Sequence, residues 1–367
     1  MKIGIFLPNW IGDVVMATPA LRAVRTRFPD ASIFGIMRPY VADVIAGTGL
    51  IDDTLFYNPR GTVKEQRGWD FIRQLRAQRL DSVLLLTNSL RTAWLAWLSG
   101  ARERTGFARD LRGWLLTDRI APRPRSIPHS TMDEYLRLTN SFCSSSRSDR
   151  LQGNPQSQVD LLFNPPPIEL AVLPQDQENL DQFWNSGQRI ATNRQAYVCL
   201  NTGGAFGAAK NWPREHFVEL ARRIVQELDR AVLIVCGPAE RDDAAWIAAK
   251  AGHPAINSLA GSPLSIGLTK AAIRECELLV TTDSGPRHFA AAFGRPVITL
   301  FGPTHITWSE THYEKAEHLQ LKLDCGPCQQ RDCPLKHHRC MKELSVDQVY
   351  AAVRRQLSRH SSRRHVA

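Results

Sequence analysis

The sequence predicts an α/β protein built of two Rossmann-like units, each a parallel sheet covered by helices on both faces. Three observations carry that prediction. The chain has 367 residues, and at roughly 100–200 residues per domain this length accommodates two separate cores. Strand-sized apolar runs alternate with segments of helical period, and the alternation occurs twice. Between the two series lies a polar, Ser-rich stretch, Cys143 to Gln158, followed by Pro165-Pro166-Pro167, which reads as a surface insertion and a connection. The boundaries so placed are residues 1–170 and 171–345, with 346–367 a terminal helix and basic tail. Two halves of similar size imply a cleft between them, and in open α/β sheets ligands collect at the carboxyl ends of the strands.

In the first half, KIGIFLP is a short apolar run that suits a buried parallel strand. Val14, Ala17, Leu21, Val24 and Phe28 then recur at helical spacing, and the Thr18-Pro19 pair predicts that this helix begins or bends there. ASIFGIM and DTLFYN read as strands flanking a helix near Val41–Ala46. Lys64 to Gln78 reads as one polar helix, DSVLLLT as a strand and Arg91–Leu98 as a helix. A helix with Tyr135, Leu138 and Phe142 on its apolar face closes this half. The second half opens with the strand AYVCLN, a Gly-rich loop and a helix at Arg214–Leu228. AVLIVC (strand), Ala244–Ala251 (helix), Leu264–Cys276 (helix), ELLVTT (strand), Arg287–Phe293 (helix) and PVITLF (strand) follow.

Composition is ordinary for a globular chain, 43% hydrophobic and 22% charged, which excludes disorder and collagen-like repeats. No stretch approaches the ~18 apolar residues of a membrane span. Pro8, Asn9 and Asp13 interrupt the apolar start before a signal-peptide core can form, so the chain is expected to be soluble and cytoplasmic. The net charge of +10 suggests a phosphate- or carboxylate-bearing partner. Part of it lies in the tail Arg354 to Ala367, too poor in apolar residues to pack. That tail reads as solvated, or as a loose attachment to an anionic membrane face. No RNA-binding signature accompanies the charge, and nucleic acid is not expected as a partner. Of the eight cysteines, Cys143, Cys199, Cys236 and Cys276 are scattered, while Cys325, Cys328, Cys333 and Cys340 crowd together with His337 and His338 between them. That cluster suits structural zinc, an iron–sulfur site or reduced thiols bracing a loop, although its spacing matches neither paired C-x-x-C ribbons nor ferredoxin runs.

The candidate functional residues follow strands. In NTGGAFGAAKNWP, Gly203, Gly204 and Gly207 allow close backbone approach to a ligand and Lys210 supplies a charge, although the loop is not a Walker A sequence. In TTDSGPRHFAAAFG, Asp283, Ser284 and Gly285 precede Pro286 at a first helical position. Free N–H groups there suit an anion such as a diphosphate, with His288 one turn in; a capped helix is the plainer reading, and the two are compatible. Glu240, in CGPAER, either accepts hydrogen bonds from a ribose or starts the next helix. Asp13, at the end of the first strand, either serves as a base toward an acceptor hydroxyl or caps its helix. Arg60, Lys64 and Arg67, with Arg91, form a candidate basic acceptor surface, though exposed helix charge explains them equally.

Taken in order, NWIGDVVMATPALRAVR, the loop ending in KNWP, GPAER and TTDSGPRHFAAAFGRPVITLFGPT resemble the ADP-heptose:lipopolysaccharide heptosyltransferases of glycosyltransferase family 9. The resemblance spans most of the chain. The NWIGD opening and CGPCQQRDCPLKHHRCMKEL are most similar to the heptosyltransferase II branch. It implies the two-domain glycosyltransferase-B fold, with an amino-terminal acceptor domain, a carboxy-terminal ADP-heptose domain and a final helix near Val346–Leu357 that crosses back to the first domain. It further implies that Asp13 is the catalytic base, Lys210 a donor-phosphate ligand, Asp283, Ser284, Gly285 and His288 the diphosphate turn, and Glu240 a ribose contact. Arg287 departs from the family, whose members carry an apolar residue there. The implied reaction is an inverting single displacement that needs no divalent metal, and the chain lacks an Asp-x-Asp motif to hold one. Heptosyltransferase I, another family 9 sugar transferase, and a non-catalytic nucleotide-sugar-binding or zinc-stabilised interaction protein are the competing readings.

Overall fold

The computed structural model describes residues 1–124, 126–145, 161–186, 194, 196–204 and 207–364. They form two compact units, Met1–Ala171 with Ser309–Thr311, and Val172–Trp308 with His312–Ala367. The Ser-rich stretch lies, from residue 146 onward, outside the described residues.

The first unit runs β1 (Lys2–Phe6), α1 (Ile11–Arg27), β2 (Ser32–Met37), α2 (Pro39–Ile45), β3 (Asp53–Phe56), α3 (Gly68–Ala77), β4 (Ser82–Leu85), α4 (Leu90–Leu98), β5 (Glu103–Phe107), β6 (Asp118–Ile120) and α5 (Thr131–Ser145). Its strands pair in parallel in the order β3-β2-β1-β4-β5-β6. The direction of winding therefore reverses between β1 and β4. Phe6, Phe34, Val83 and Leu85 pack with Phe71, Leu75, Ala93 and Ala96 in one core. Phe28, at the C-cap of α1, and Phe142 on α5 meet edge to face at 6.0 Å. The family-independent expectation of a covered parallel sheet is met.

Helix α1 and the Lys64–Gln78 segment differ in detail from the expectation. Helix α1 does not begin at Pro19 but runs through it. A proline ring removes the N–H that would bond the carbonyl four residues back, here that of Val15. The Thr18 hydroxyl donates to that carbonyl instead, at 2.8 Å, and in turn accepts from the Glu169 amide at 3.1 Å. Lys64 to Gln78 is not one helix. A 3₁₀ turn at Lys64–Gln66 precedes α3; Arg67 between them is extended and Gly68, which opens α3, holds φ +57°, a left-handed conformation that interrupts helical continuity.

The second unit comprises α6 (Pro174–Asn185), β7 (Tyr197–Asn201), α7 (Arg214–Leu228), β8 (Ala231–Val235), α8 (Arg241–Ala251), β9 (Ile256–Ser258), α9 (Ile266–Glu275), β10 (Leu278–Thr282), α10 (Pro286–Ala292), β11 (Val297–Phe301), β12 (Ala316–Gln320), α11 (Arg339–Lys342) and α12 (Val346–Arg364). Its sheet has the same winding, β12-β11-β10-β7-β8-β9, all parallel, with the reversal between β7 and β10. Burial on both faces explains why β7, β8, β10 and β11 read as uninterrupted apolar runs.

Helix α12, expected to cross to the first domain, belongs to the second unit. Its Val346, Val349, Tyr350 and Val353 join the core of β8, β10 and α7, and the Arg223 guanidinium lies 4.0 Å from the Tyr350 ring centroid. The segment from Arg354, expected to be too poor in apolar residues to pack, continues this anchored helix to Arg364, and its Leu357 packs against the same core. Among the described residues no helix is long and apolar enough to cross a membrane.

Candidate active site

Each unit gathers polar side chains at the carboxyl ends of its strands, around its point of reversal. In the first unit a cavity of about 330 Å³ is lined by residues that follow β1, β2, β3 and β4, among them Asn9, Arg38, Tyr57, Thr87, Ser89 and Arg91. The Arg38 guanidinium donates to the Asn9 side-chain carbonyl at 3.2 Å and to that of Asn58 at 3.0 Å, while the Tyr40 hydroxyl donates to the Asn9 backbone carbonyl at 2.5 Å. Burial pushes the Tyr57 phenol up, with Arg91 and Arg38 pulling against it. The cavity thus combines the cations Arg38 and Arg91 with apolar walls from Phe6, Leu7 and Ile36.

Arg112 holds the β4–α4 loop of this cavity in place. It is fully buried. Its guanidinium donates to the carbonyls of Phe107 at 2.8 Å and Thr87 at 2.7 Å, and to the Asn88 side chain at 3.2 Å. Burial pushes its pKa down to about 10, so it remains charged at neutral pH.

Asp13 is the third residue of α1, directly beyond β1, and Trp10 occupies the cap position. A carboxylate in a first turn is favoured by the amide dipoles of the helix. Asp13 is half-buried and its charge reaches Tyr135, whose phenol is pushed up first by burial and further by Asp13. Of the candidate acceptor residues, Arg91 lines the cavity; Arg60, Lys64 and Arg67 are exposed and stand outside its lining. Arg38, Asn9, Tyr57 and Thr87 are not predicted by the sequence reading, although each follows a strand, the position where ligand contacts are expected.

In the second unit Asn201, the last residue of β7, is the hub. Its side-chain amide donates to the Gly203 carbonyl at 2.9 Å, the Thr281 hydroxyl at 3.0 Å and the Ser284 hydroxyl at 2.9 Å. This fastens the Gly-rich loop to the turn after β10. The loop must be glycine because a Cβ on Gly203 would stand 2.5 Å from the Glu240 Cγ, and one on Gly204 would stand 2.8 Å from the Ser284 Cβ. Glu240 accepts from the Gly237 amide at 3.0 Å and so organises its own turn after β8.

Lys210 and Asp283 form a buried ion pair at the end of β10. The ammonium donates to the Asp283 carboxylate at 2.5 Å and to its backbone carbonyl at 3.0 Å, and the Thr304 hydroxyl donates to the same carboxylate at 2.7 Å. Burial pushes the Asp283 carboxyl up, but Lys210 and Arg287 together outweigh it and hold the group below the usual aspartate value. Arg287 is buried among polar and aromatic partners. Its guanidinium lies 3.7 Å from Asp283, 3.4 Å from the His318 ring nitrogen and 5.0 Å from the Phe301 ring centroid. Those partners explain how a cation is tolerated at an apolar position. His288 is buried on α10, while Ser284 and Gly285 are partly exposed.

None of the eight cysteines, all among the described residues, is in a disulfide. The segment carrying Cys325, Cys328 and Cys333 leans on both polar loops: the Ala209 amide donates to the Arg331 carbonyl at 3.0 Å and the Gln329 amide to the Pro303 carbonyl at 2.8 Å. The His337 imidazole lies 4.0 Å from each of the Cys325 and Cys333 sulfurs. Among the described residues no group of three or more His, Cys, Asp or Glu side chains is arranged to hold a metal ion.

Two doubly wound units, each with its polar residues at the reversal point of a parallel sheet, define a glycosyltransferase-B-like fold. The model of glycosyltransferase family 9 (heptosyltransferase) matches residues 69–339, and the chain belongs to that family. It is 27% identical to the lipooligosaccharide heptosyltransferase 2 of Campylobacter jejuni, over 95% of this chain and 96% of that one. It is 30% identical to the lipopolysaccharide heptosyltransferase 1 of Pseudomonas aeruginosa, over 95% of this chain and 92% of the other. The fold superposes on that of Escherichia coli ADP-heptose LPS heptosyltransferase II with a TM-score of 0.78, at 22% identity, covering 98% of this chain and 100% of that one.

Proposed function

We propose that the protein is a heptosyltransferase II, transferring heptose from ADP-L-glycero-D-manno-heptose to the inner-core heptose of lipopolysaccharide by a single inverting displacement. The observation that carries this reading is family membership along nearly three quarters of the chain together with the cation fixed by Asp283 beside the Gly-rich loop. Asp13 takes the proton of the acceptor hydroxyl, which attacks the anomeric carbon as the bond to ADP breaks. The acceptor sugar lies in the cavity of Arg38 and Arg91. Negative charge growing on the departing diphosphate is met by Lys210 and by the turn of Ser284 and Gly285 that opens the His288 helix. Glu240, packed under Gly203, receives the ribose. Transfer takes place at the cytoplasmic face of the inner membrane, where the lipid-borne acceptor resides.

The 30% identity to a relative named heptosyltransferase 1 favours a second reading in which the acceptor carries no heptose yet. Incubation with ADP-heptose and two truncated core acceptors, one bearing a single heptose and one bearing none, separates the two. Product from the first alone supports heptosyltransferase II. Product from the second alone assigns heptosyltransferase I, and ADP binding without product from either removes the enzymatic assignment.

A further inference from the structure

The first unit exposes an aromatic ledge next to the cavity that the proposed reaction does not use. Helix α4 presents Trp94 and Trp97, 44% and 46% exposed, and the 3₁₀ turn at Arg112–Leu115 presents Trp114, 61% exposed. Their ring centroids lie 5.3 Å (Trp94 to Trp97) and 6.1 Å (Trp94 to Trp114) apart. Leu111, three residues before Trp114, is 90% exposed. It and Asp110 hold φ of +59° and +48°, a left-handed conformation that residues with a side chain rarely adopt in succession. The chain therefore accepts backbone strain to hold a leucine out into solvent, and the buried Arg112 that follows locks the loop in that state.

We infer that this ledge is the surface by which the enzyme sits on an anionic lipid bilayer. Contiguous exposed apolar surface marks an interaction site, and indole rings with a polar N–H favour the water–lipid boundary. The ledge is continuous with the cavity: Arg91, which lines it, lies on α4 three residues before Trp94. Helix α3, packed beside α4, adds exposed Arg73 and Arg76, with the Asp70 carboxylate 3.4 Å from Arg73. A chain of net charge +10 is drawn to anionic headgroups. A glycolipid whose sugar enters the cavity would leave its acyl chains beside this ledge. The inference rests on the proposed lipid-borne acceptor, and it assigns membrane contact to the first unit instead of the basic carboxy-terminal segment.

The test uses the full chain and vesicles of phosphatidylethanolamine and phosphatidylglycerol in a three-to-one ratio, with phosphatidylcholine vesicles as control. Wild type is expected to float with the anionic vesicles and not with phosphatidylcholine. The variant Trp94→Ser/Trp97→Ser/Trp114→Ser should bind the anionic vesicles at least tenfold more weakly. Its turnover of a deacylated, soluble acceptor should stay within twofold of wild type, and its KM for the same acceptor embedded in vesicles should rise at least tenfold. Leu111→Ser, a single exposed change, serves where the triple variant fails to fold and should weaken vesicle binding severalfold. Vesicle binding undiminished in these variants, or absent in wild type, overturns the inference; binding of wild type to a soluble protein partner in place of vesicles does the same. Lack of turnover of the deacylated acceptor by wild type would instead count against the proposed function.

Discussion

Replacing Lys210 by Met removes the cation from the ion pair on which the donor side of the account depends, while keeping most of the side-chain volume. Both members are about nine-tenths buried. Breaking such a pair from one side leaves an uncompensated charge and costs about 3–5 kcal/mol. Here Asp283 keeps the Thr304 hydroxyl at 2.7 Å and Arg287 at 3.7 Å, so the cost belongs at the lower end, about 3 kcal/mol. For a domain of this size that corresponds to a fall in Tm of about 6–12 °C. Lys210→Met/Asp283→Asn, which removes the stranded charge, should recover about half of the loss. Differential scanning calorimetry of wild type, both single variants and the double variant measures the coupling directly. The pH dependence carries the same signature. Because the folded-state pKa of Asp283 lies below its unfolded value, its contribution is full above the ordinary aspartate pKa near 4 and is lost as pH falls through the lower folded value. Asp283→Asn should flatten that acid limb. A single-variant loss below about 3 °C with no change in the acid limb would refute the reasoning.

Two other outcomes follow from the same geometry. Arg112→Met strands the buried carbonyls of Phe107 and Thr87 at about 1–3 kcal/mol each; urea denaturation should register the loss, and the KM for acceptor should rise while that for donor is unchanged. Gly203→Ala drives a Cβ to within 2.5 Å of the Glu240 Cγ, so calorimetric titration should find ADP bound at least tenfold more weakly, a difference of ~1.4 kcal/mol or more; unaltered affinity would remove Glu240 from the donor site.

Much of the fold was legible because the central strands are buried on both faces and so are written as continuous apolar runs. Helix α7 was read at the bounds it has, Arg214–Leu228, from its amphipathic period. Strands β5, β6, β9 and β12 were not, since ERTGF, DRI, INS and AEHLQ are short and polar and become strands through pairing with a neighbour already in place. The helix at the carboxy-terminus was read as tail from Arg354 because its charge hid a helix anchored by apolar residues further upstream. At the sites, residues clustered in glycine-marked motifs stood out, whereas Arg38 and Tyr57 are single residues after strands, and only the winding order of the sheet brings them to one cavity. The pairing of Lys210 with Asp283, 73 residues apart, is a tertiary contact that no local pattern encodes.

The most direct test of the central claim is steady-state transfer by Asp13→Asn, with ADP-heptose and a soluble acceptor bearing one heptose. Loss of the base should lower kcat by ~10²–10⁴ while ADP affinity and Tm stay close to wild type. Transfer at a near-normal rate would contradict the account.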